Sequence, residues 1–464
     1  MPAARHRTGS SRIPYALAVV TTSFGFVVVQ LDISVVNIAL TRIGAALSTN
    51  VAGLQWVVDG YALAFAALLM AGGALGDRVG ARRIFSLGMA VFTLASLGCA
   101  LAVNGALLVA ARAAQGIGAA MLMPCSLALL SHASNGNSAL RARGVSIWTA
   151  AGAAALAAGP PLGGLLVDRF GWQSIFLLNL PIGIAAIAMA MAFLDETPVK
   201  PERPPIDIAG QALAVLVPFI LTAAVIEGGT SGFGAPLVLS AFAMAAGAGV
   251  AFIAVELRAR HPLLPLDLFR IPAFAVANFV GLAVNMTTYG LIFLLSFYFQ
   301  QVKGYSPVVA GAAFMPFLAA VVVANVAAGP AVARYGVRLP LIVGPAVAML
   351  GFALLLSVDA ATPYASLIWR LLVLTIGTGL AVPAMTTAVL EAVPPGMAGM
   401  ASGVLNTIRQ TSGAIGVALF GALTSFGLVA GMHMALAISA VLTGFAAGAV
   451  MIFVTRSGEA EEPA

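Results

Sequence analysis

Two aspartates and an arginine stand inside long apolar runs of this sequence: Asp32 after Leu31, Asp59 between Val58 and Gly60, and Arg112 in Ala111-Arg112-Ala113-Ala114-Gln115. A charge at the centre of a bilayer costs about 2.5–3.5 kcal/mol on insertion scales, so an intramembrane acid is a functional residue by default. A carboxyl group can carry a proton there, and a neighbouring arginine favours its charged form until the two are drawn apart. The chemistry on offer is reversible protonation linked to movement. Two blander readings stay open: Asp32 only hydrogen-bonds helices together, and Asp59 only faces a wet outer vestibule. Other chemistries are poorly served. The only lysines, Lys200 and Lys303, each follow a valine, so no phosphate loop ending in Gly-Lys exists, and ATP-driven pumping by this chain is excluded. His6, His132, His261 and His433 lie far apart without ligand spacing, so no metal is expected. Cys99 and Cys125 sit in apolar stretches and suit packing, not a disulfide framework. Neither a nucleophile elbow nor a helical metal motif appears, so an enzyme and a cofactor are not expected.

The elements that must position these residues follow from composition. Of 464 residues only 8% are charged and 61% are hydrophobic, whereas a soluble domain carries about 25% charged residues. Too little polar surface remains to coat a water-facing globule, and the chain is read as an all-α polytopic membrane protein. Apolar runs near the length of a bilayer crossing predict fourteen spans: 15–39, 52–75, 84–103, 106–131, 144–167, 173–194, 207–228, 236–256, 273–299, 308–332, 339–357, 364–390, 400–426 and 432–454. The first run follows Arg5, Arg7 and Arg12 and exceeds the core of a cleavable signal, so it is expected to stay as a span. With the N-terminus inside, sixteen basic residues fall on the cytoplasmic side, among them Arg78, Arg82, Arg141, Lys200, Arg203, Arg334 and Arg456; the opposite loops hold Arg42, Arg169 and Lys303. That bias places both termini in the cytoplasm. It also accounts for the net charge of +6 without a nucleic-acid partner. At 1.5 Å per residue, Asp32 and Asp59 lie seven residues (roughly 10 Å) and Arg112 six residues (roughly 9 Å) from the outer ends of their spans. The three share one layer.

An internal repeat supports the count. Gly73, Arg78, Gly80 and Arg82 recur as Gly329, Arg334, Gly336 and Arg338 at an offset of 256, and Gly144-Val145 recurs as Gly403-Val404 at an offset of 259. Copies eight spans apart keep one orientation, which makes them parallel repeats of six helices each with two extra helices inserted between. The predicted units are a six-helix bundle over 1–194, a connector with two additional helices over 195–272, and a second six-helix bundle over 273–464. The connector is rich in proline from Pro198 to Pro205 and reads as a stiff spacer.

Several motifs carry a resemblance. The turn from Gly73 through Gly76, Asp77, Arg78 and Gly80 to Arg82 and Arg83 is short and glycine-rich, with Asp77 placed to cap the next helix. A topology anchor would explain it, but the spacing resembles the signature between helices two and three of the major facilitator superfamily. There the aspartate and arginines form a charge latch, which makes Gly73, Asp77, Arg78, Gly80 and Arg82 the expected latch; Ala333 replaces the aspartate in the second copy. Arg112 to Gly118 is similar to the superfamily's fourth-helix motif, whose arginine assists proton transfer, and Leu371 aligns with Arg112 in the second repeat. Gly159, Pro160, Gly163 and Gly164 suit close backbone packing and a bend. In this position they resemble the antiporter motif that separates exporters from importers, with Ala155 where glycine is frequent. The run from Asp32 through Ser34 and Asn37 to Leu40 resembles the first-helix motif of the fourteen-span drug:proton antiporters, with Ser34 and Thr41 in place of the usual threonine and proline. Further resemblances at 55–61, 172–183 and 403–410 cover nearly the whole chain and point to the methylenomycin-resistance-like branch.

The resemblance implies the major-facilitator fold and a proton-coupled antiporter in the cell membrane, exporting small, partly hydrophobic compounds such as drugs or antibiotics by alternating access as a monomer. Its expected partners are protons, the small-molecule substrate and the bilayer. Asp32, Arg112 and Asp59 are the expected proton-coupling residues. The expected substrate site comprises Gln30, Asn37, Tyr61, Trp148, Asn285, Tyr289, Phe293, Asn406 and Arg409, although each aromatic also fits lipid contact or core packing and Arg409 also fits helix packing. Two other readings remain: a symporter or facilitator for a nutrient, against which the glycine–proline run of span five speaks, and a transporter-shaped sensor without flux.

Overall fold

A computed structural model describes residues 15–198, 207–260, 262, 264–394 and 397–454. Arg5, Arg7, Arg12, Lys200, Arg203 and Arg456, on which part of the topology expectation rests, lie outside the described residues. The helices in chain order are α1 (Tyr15–Ala46), α2 (Val51–Val79), α3 (Ala81–Ala100), α4 (Gly105–Ala133), α5 (Ser138–Phe170), α6 (Ser174–Leu177), α7 (Asn179–Phe193), α8 (Ile208–Ser231), α9 (Pro236–Arg258), α10 (Pro272–Phe297), α11 (Pro307–Tyr335), α12 (Arg338–Leu355), α13 (Tyr364–Glu391), α14 (Ala398–Leu423) and α15 (Leu428–Phe453). Thirteen crossings among the described residues are long and apolar enough to span a membrane, α6 and α7 counting as one. The remaining helix, α14, has the length with 26 residues, but its middle carries Asn406, Thr407, Arg409, Gln410, Thr411 and Ser412.

Helix starts follow local chemistry. The side chains of Asn50, Asn104, Asn137 and Ser306 accept from the amides of Gly53, Leu107, Leu140 and Val309, satisfying donors that the first helical turn leaves free. One expectation changes. The first span is not a helix of 15–39 but runs to Ala46, with no proline after Thr41 to stop it and Gly44 carried inside the helix. Asp32 is therefore near the middle of α1 instead of close to its outer end. The sixth crossing, Ser174–Phe193, keeps helical backbone through Leu178 (φ −56°, ψ −32°); Pro181 has no N–H to donate to the carbonyl of Leu177, so one bond of the ladder is missing there.

The helices pack as two groups, α1–α7 and α10–α15, with α8 and α9 added on one flank. Call the end where α1 meets α2 the first end, and the end where α2 meets α3 the second. Toward the first end a single apolar core joins Val36 and Leu40 of α1 and Val57 of α2 to Phe293 and Phe297 of α10 and Val417 of α14. Toward the second end the core divides. Phe85, Met89, Leu122 and Leu129 pack within the first group, while Phe274, Met385, Val389 and Val404 pack within the second.

Hydrogen bonds between the groups follow the same division. Gln55 Nε2 of α2 donates to the carbonyls of Val417 (3.3 Å) and Ala418 (2.6 Å) of α14. Ser296 Oγ donates to the carbonyl of Asn37, Gln300 Nε2 donates to the carbonyl of Ile38 at 3.1 Å, and Thr41 Oγ1 donates to Gln300 Oε1. Gln300 is carried by a π-helical turn, Tyr298–Val302, that extends α10. The first end is thus sealed by a shared core and a row of bonds. The inserted α8 lies along α2 and α14 together: the Phe219 ring lies tilted against Trp56 at 5.3 Å, Gln211 Nε2 donates to the carbonyl of Ala67, and Val225 and Ile226 pack on Ala418 and Ala422.

Candidate functional site

Asp32 and Arg112 meet in the interior of the first group. Arg112 Nη1 of α4 donates to Asp32 Oδ2 of α1, and the side chains are 2% and 0% exposed. A buried ion pair holds only if its remaining donors and acceptors are largely satisfied, and both Asp32 oxygens and the Nε and Nη1 of Arg112 have partners. Gln115 Nε2 (3.3 Å) and Asn179 Nδ2 (3.1 Å) both donate to Asp32 Oδ1. Arg112 also donates through Nη1 to Gln115 Oε1 at 2.8 Å and through Nε to the carbonyl of Val57 at 3.0 Å. Ser96 accepts from Gln115 at 2.7 Å and from Asn179 at 3.3 Å. The guanidinium lies 4.4 Å from the centroid of the Tyr61 ring and 5.8 Å from that of Phe176, a favourable placement for a cation on aromatic faces.

A narrow cavity of about 30 Å³, room for little more than a water molecule, adjoins this pair. Asn37, Asp59, Tyr61 and Arg112 line it from the first group, Tyr289 and Gln410 from the second. Asp32 is not on its wall; Arg112 stands between the two. Asp59 is on the wall and fully buried, and neither of its carboxylate oxygens has a hydrogen-bond partner among the described residues, nor has the Tyr61 hydroxyl. Protonation of Asp32 would remove the charge that holds Arg112, so a proton arriving at this nest changes the force on α4 relative to α1. A second hollow, about 890 Å³, lies between α2, α4 and α8 and is lined by Trp56, Leu63, Val109 and Phe219 without a titratable group.

The other expected residues are distributed unevenly. Asn285 and Arg409 are in contact, Arg409 Nε donating to Asn285 Oδ1 at 3.4 Å. Asn406 turns its amide back to the carbonyl of Ser402 at 3.0 Å, and Gln30 is half-buried on α1. Trp148 does not join them. Its ring stacks on Phe26 at 3.9 Å, and Nε1 donates to Ser126 Oγ at 3.2 Å, so it packs α5 onto α1 and α4. Phe293 likewise is fully buried in the shared core beside Phe297, at 5.0 Å, and not on the cavity wall.

Of the latch residues, Gly73 packs against Pro124, Asp77 and Arg78 occupy the last turn of α2, and Gly80 turns the chain at φ 111°. The expectation that Asp77 caps α3 is corrected. Asp77 is exposed, and the free amides of α3 are taken by the end of the sixth crossing: Ala81 donates to Thr197 Oγ1 at 2.9 Å, Arg82 to Glu196 Oε1 at 2.9 Å and Arg83 to Glu196 Oε2 at 3.3 Å. Glu196 also pairs with the guanidinium groups of Arg82 (3.8 Å) and Arg83 (3.7 Å). In α5, Gly159 and Gly163 face Ser34 and Val35 of α1, while Pro160 and Gly164 face Gly311, Pro307 and Val308 of α11. A Cβ at Gly164 would fall 2.8 Å from Cα of Val308, so α5 and α11 approach at van der Waals limits there.

Sequence reasoning gave no role to Gln115, Asn179, Ser96 or Glu196. Gln115 had a signal, since it is three residues from Arg112 and so shares its helix face. Asn179 had a fainter one, its place just ahead of Pro181.

Comparison with known proteins agrees with this architecture. The family described as Major Facilitator Superfamily matches residues 22–417. The chain belongs to the major facilitator superfamily. Among its relatives, a methylenomycin A resistance protein of Bacillus subtilis is 39% identical over 403 residues, covering 87% of this chain and 86% of the relative. A cephamycin export protein of Amycolatopsis lactamdurans is 36% identical over 426 residues, covering 91% and 87%. The fold is also that of a bacterial homologue of the human lysosomal transporter Spinster, at a TM-score of 0.67 and 15% identity over 94% of this chain and 96% of that one.

Proposed function

We propose that this superfamily member is a proton-coupled exporter of small, partly hydrophobic compounds, antibiotics among them, working by alternating access in the cell membrane as a monomer. The observation that carries the reading is the buried Asp32–Arg112 pair with its amide ring of Gln115 and Asn179, set beside a cavity shared by both helix groups. The relatives named for methylenomycin A resistance and cephamycin export support the direction and the class of cargo. The basic residues of the second end, Arg78, Arg82, Arg83, Arg141 and Arg143, favour its placement in the cytoplasm. The conformation described is then closed outward and divided inward.

In the proposed cycle the inward-facing protein takes up cargo between the two groups while Asp32 is charged and holds Arg112. Rocking toward the outer face releases cargo, and a proton from outside neutralises Asp32; the return stroke delivers that proton inside. One proton per cycle supplies roughly 1.4 kcal/mol per pH unit and roughly 2.3 kcal/mol per 100 mV, together on the order of several-hundred-fold accumulation. Asp59, with its unpaired carboxylate on the cavity wall, is the second acid available for a proton or a cationic cargo. The deciding experiment is efflux from proteoliposomes under an imposed pH gradient. Asp32→Asn is expected to abolish gradient-driven transport and leave substrate binding measurable; undiminished transport by that variant would defeat the assignment.

A further inference from the structure

Arg112 has its acid; Arg409 does not. The salt bridges among the described residues join Arg82 and Arg83 to Glu196, Arg112 to Asp32 and Arg270 to Asp267, and none includes Arg409. Yet Arg409 stands well inside α14, facing α10. Its one side-chain hydrogen bond runs from Nε to Asn285 Oδ1. Asn285 is itself fixed, its Nδ2 donating to the carbonyl of Gly281 at 2.8 Å. The arginine stem passes Gly281, with Arg409 Cγ 3.6 Å from where a Cβ would stand, an ordinary contact. The terminal amino groups Nη1 and Nη2 have no hydrogen bond among the described residues, and the side chain is partly exposed, next to but not on the wall of the cavity. One turn along α14, Gly413 lets the Tyr289 ring lie against the helix, and Tyr289, Gln410 and Gly413 line the cavity.

A guanidinium offers five N–H donors in a rigid plane, and with Nε turned to an amide the end carrying Nη1 and Nη2 is the face left for a bidentate acceptor. A cation kept at membrane depth without a protein counter-charge is a functional feature by default. We infer that Arg409, oriented by Asn285, is the anion grip of the cargo site, and that the protein takes small apolar compounds bearing a carboxylate. The ring of Tyr289 and the apolar residues Ile33, Phe65 and Val417 line the neighbouring cavity, which must widen to receive the rest of such a molecule. This rests on the export reading above for its direction of transport, but the subsite is a matter of binding.

The probes are 2-naphthoate and its neutral amide, 2-naphthamide, titrated against the full-length protein in nanodiscs at pH 7.5. Wild type is expected to bind the acid at least about tenfold more tightly than the amide. Arg409→Gln removes the preference by weakening the acid alone, and Arg409→Lys keeps part of it. Equal affinities in wild type would overturn the proposal, as would an Arg409→Gln variant that weakens both probes alike, the mark of a packing role. Proteoliposomes carrying a pH gradient separate the two readings. Gradient-driven efflux of the amide as fast as the acid sinks the anion grip and leaves export standing. A retained preference in binding, with neither compound moved, supports the grip and sinks export.

Discussion

The seal at the first end makes a quantitative prediction about Gln55. Its carboxamide bridges α2 and α14 through two bonds to carbonyls that also keep their own helix partners. Gln55→Ala therefore orphans no acceptor; it removes two bonds worth about 1 kcal/mol each. Loss of side-chain packing acts in the same sense, since the Gln55 Cδ lies 2.5 Å from where a Cβ on Gly421 would stand. In the opposite access state the seal is parted and the side chain meets water, so that state loses little. The equilibrium should move away from the sealed state by about 2 kcal/mol, on the order of thirtyfold. Spin labels at Leu140→Cys, before α5 lengthens into the bundle, and Glu391→Cys, at the end of α13, report the gap at the second end; the native Cys99 and Cys125 are buried. Double electron–electron resonance should show the longer distance depleted in Gln55→Ala. An unchanged distance distribution would refute the idea that these bonds hold the first end shut.

Other outcomes follow from the same geometry. Gly164→Leu places a side chain on the backbone of Pro307 and Val308 and should abolish transport while the protein still reaches the membrane; Gly249→Ala, with open space around it, should transport normally. Glu196→Ala removes the acceptor for two α3 amides and should cost about 1 kcal/mol, read as a lower thermal midpoint in detergent; the ion pairs with Arg82 and Arg83 add little because they are partly exposed. Trp148→Phe keeps most of the stacking on Phe26 and should leave the range of exported compounds unchanged in a panel of resistance assays, whereas a direct cargo contact would narrow it.

What the sequence disclosed was governed by cost. Asp32 and Arg112 were legible because charges inside apolar runs need a reason, and the reason proved to be each other. Their amide partners were not, because Asn179 and Gln115 stand 147 and 83 residues from Asp32 and a neutral amide in an apolar run carries no charge that demands a reason. Glu196 was hidden for another reason: it stands at the head of a proline-rich stretch that reads as spacer, and its capping of α3 spans a separation no local pattern encodes. Trp148 and Phe293 were misplaced because an aromatic ring in an apolar run carries no mark that tells core from cavity. The length of α1 was misjudged through its unmarked continuation past Thr41.

The two flanks of the bundle are unequal. Along one, α8 rests on both α2 and α14; along the other, α5 and α11 meet with no inserted helix over them. Any rocking stroke must therefore drag one member of the first junction across a splint, while the second junction parts against fatty-acid tails alone. A lipophilic molecule dissolved in the surrounding leaflet meets a splinted junction on one side and, on the other, a close-packed seam with nothing laid over it.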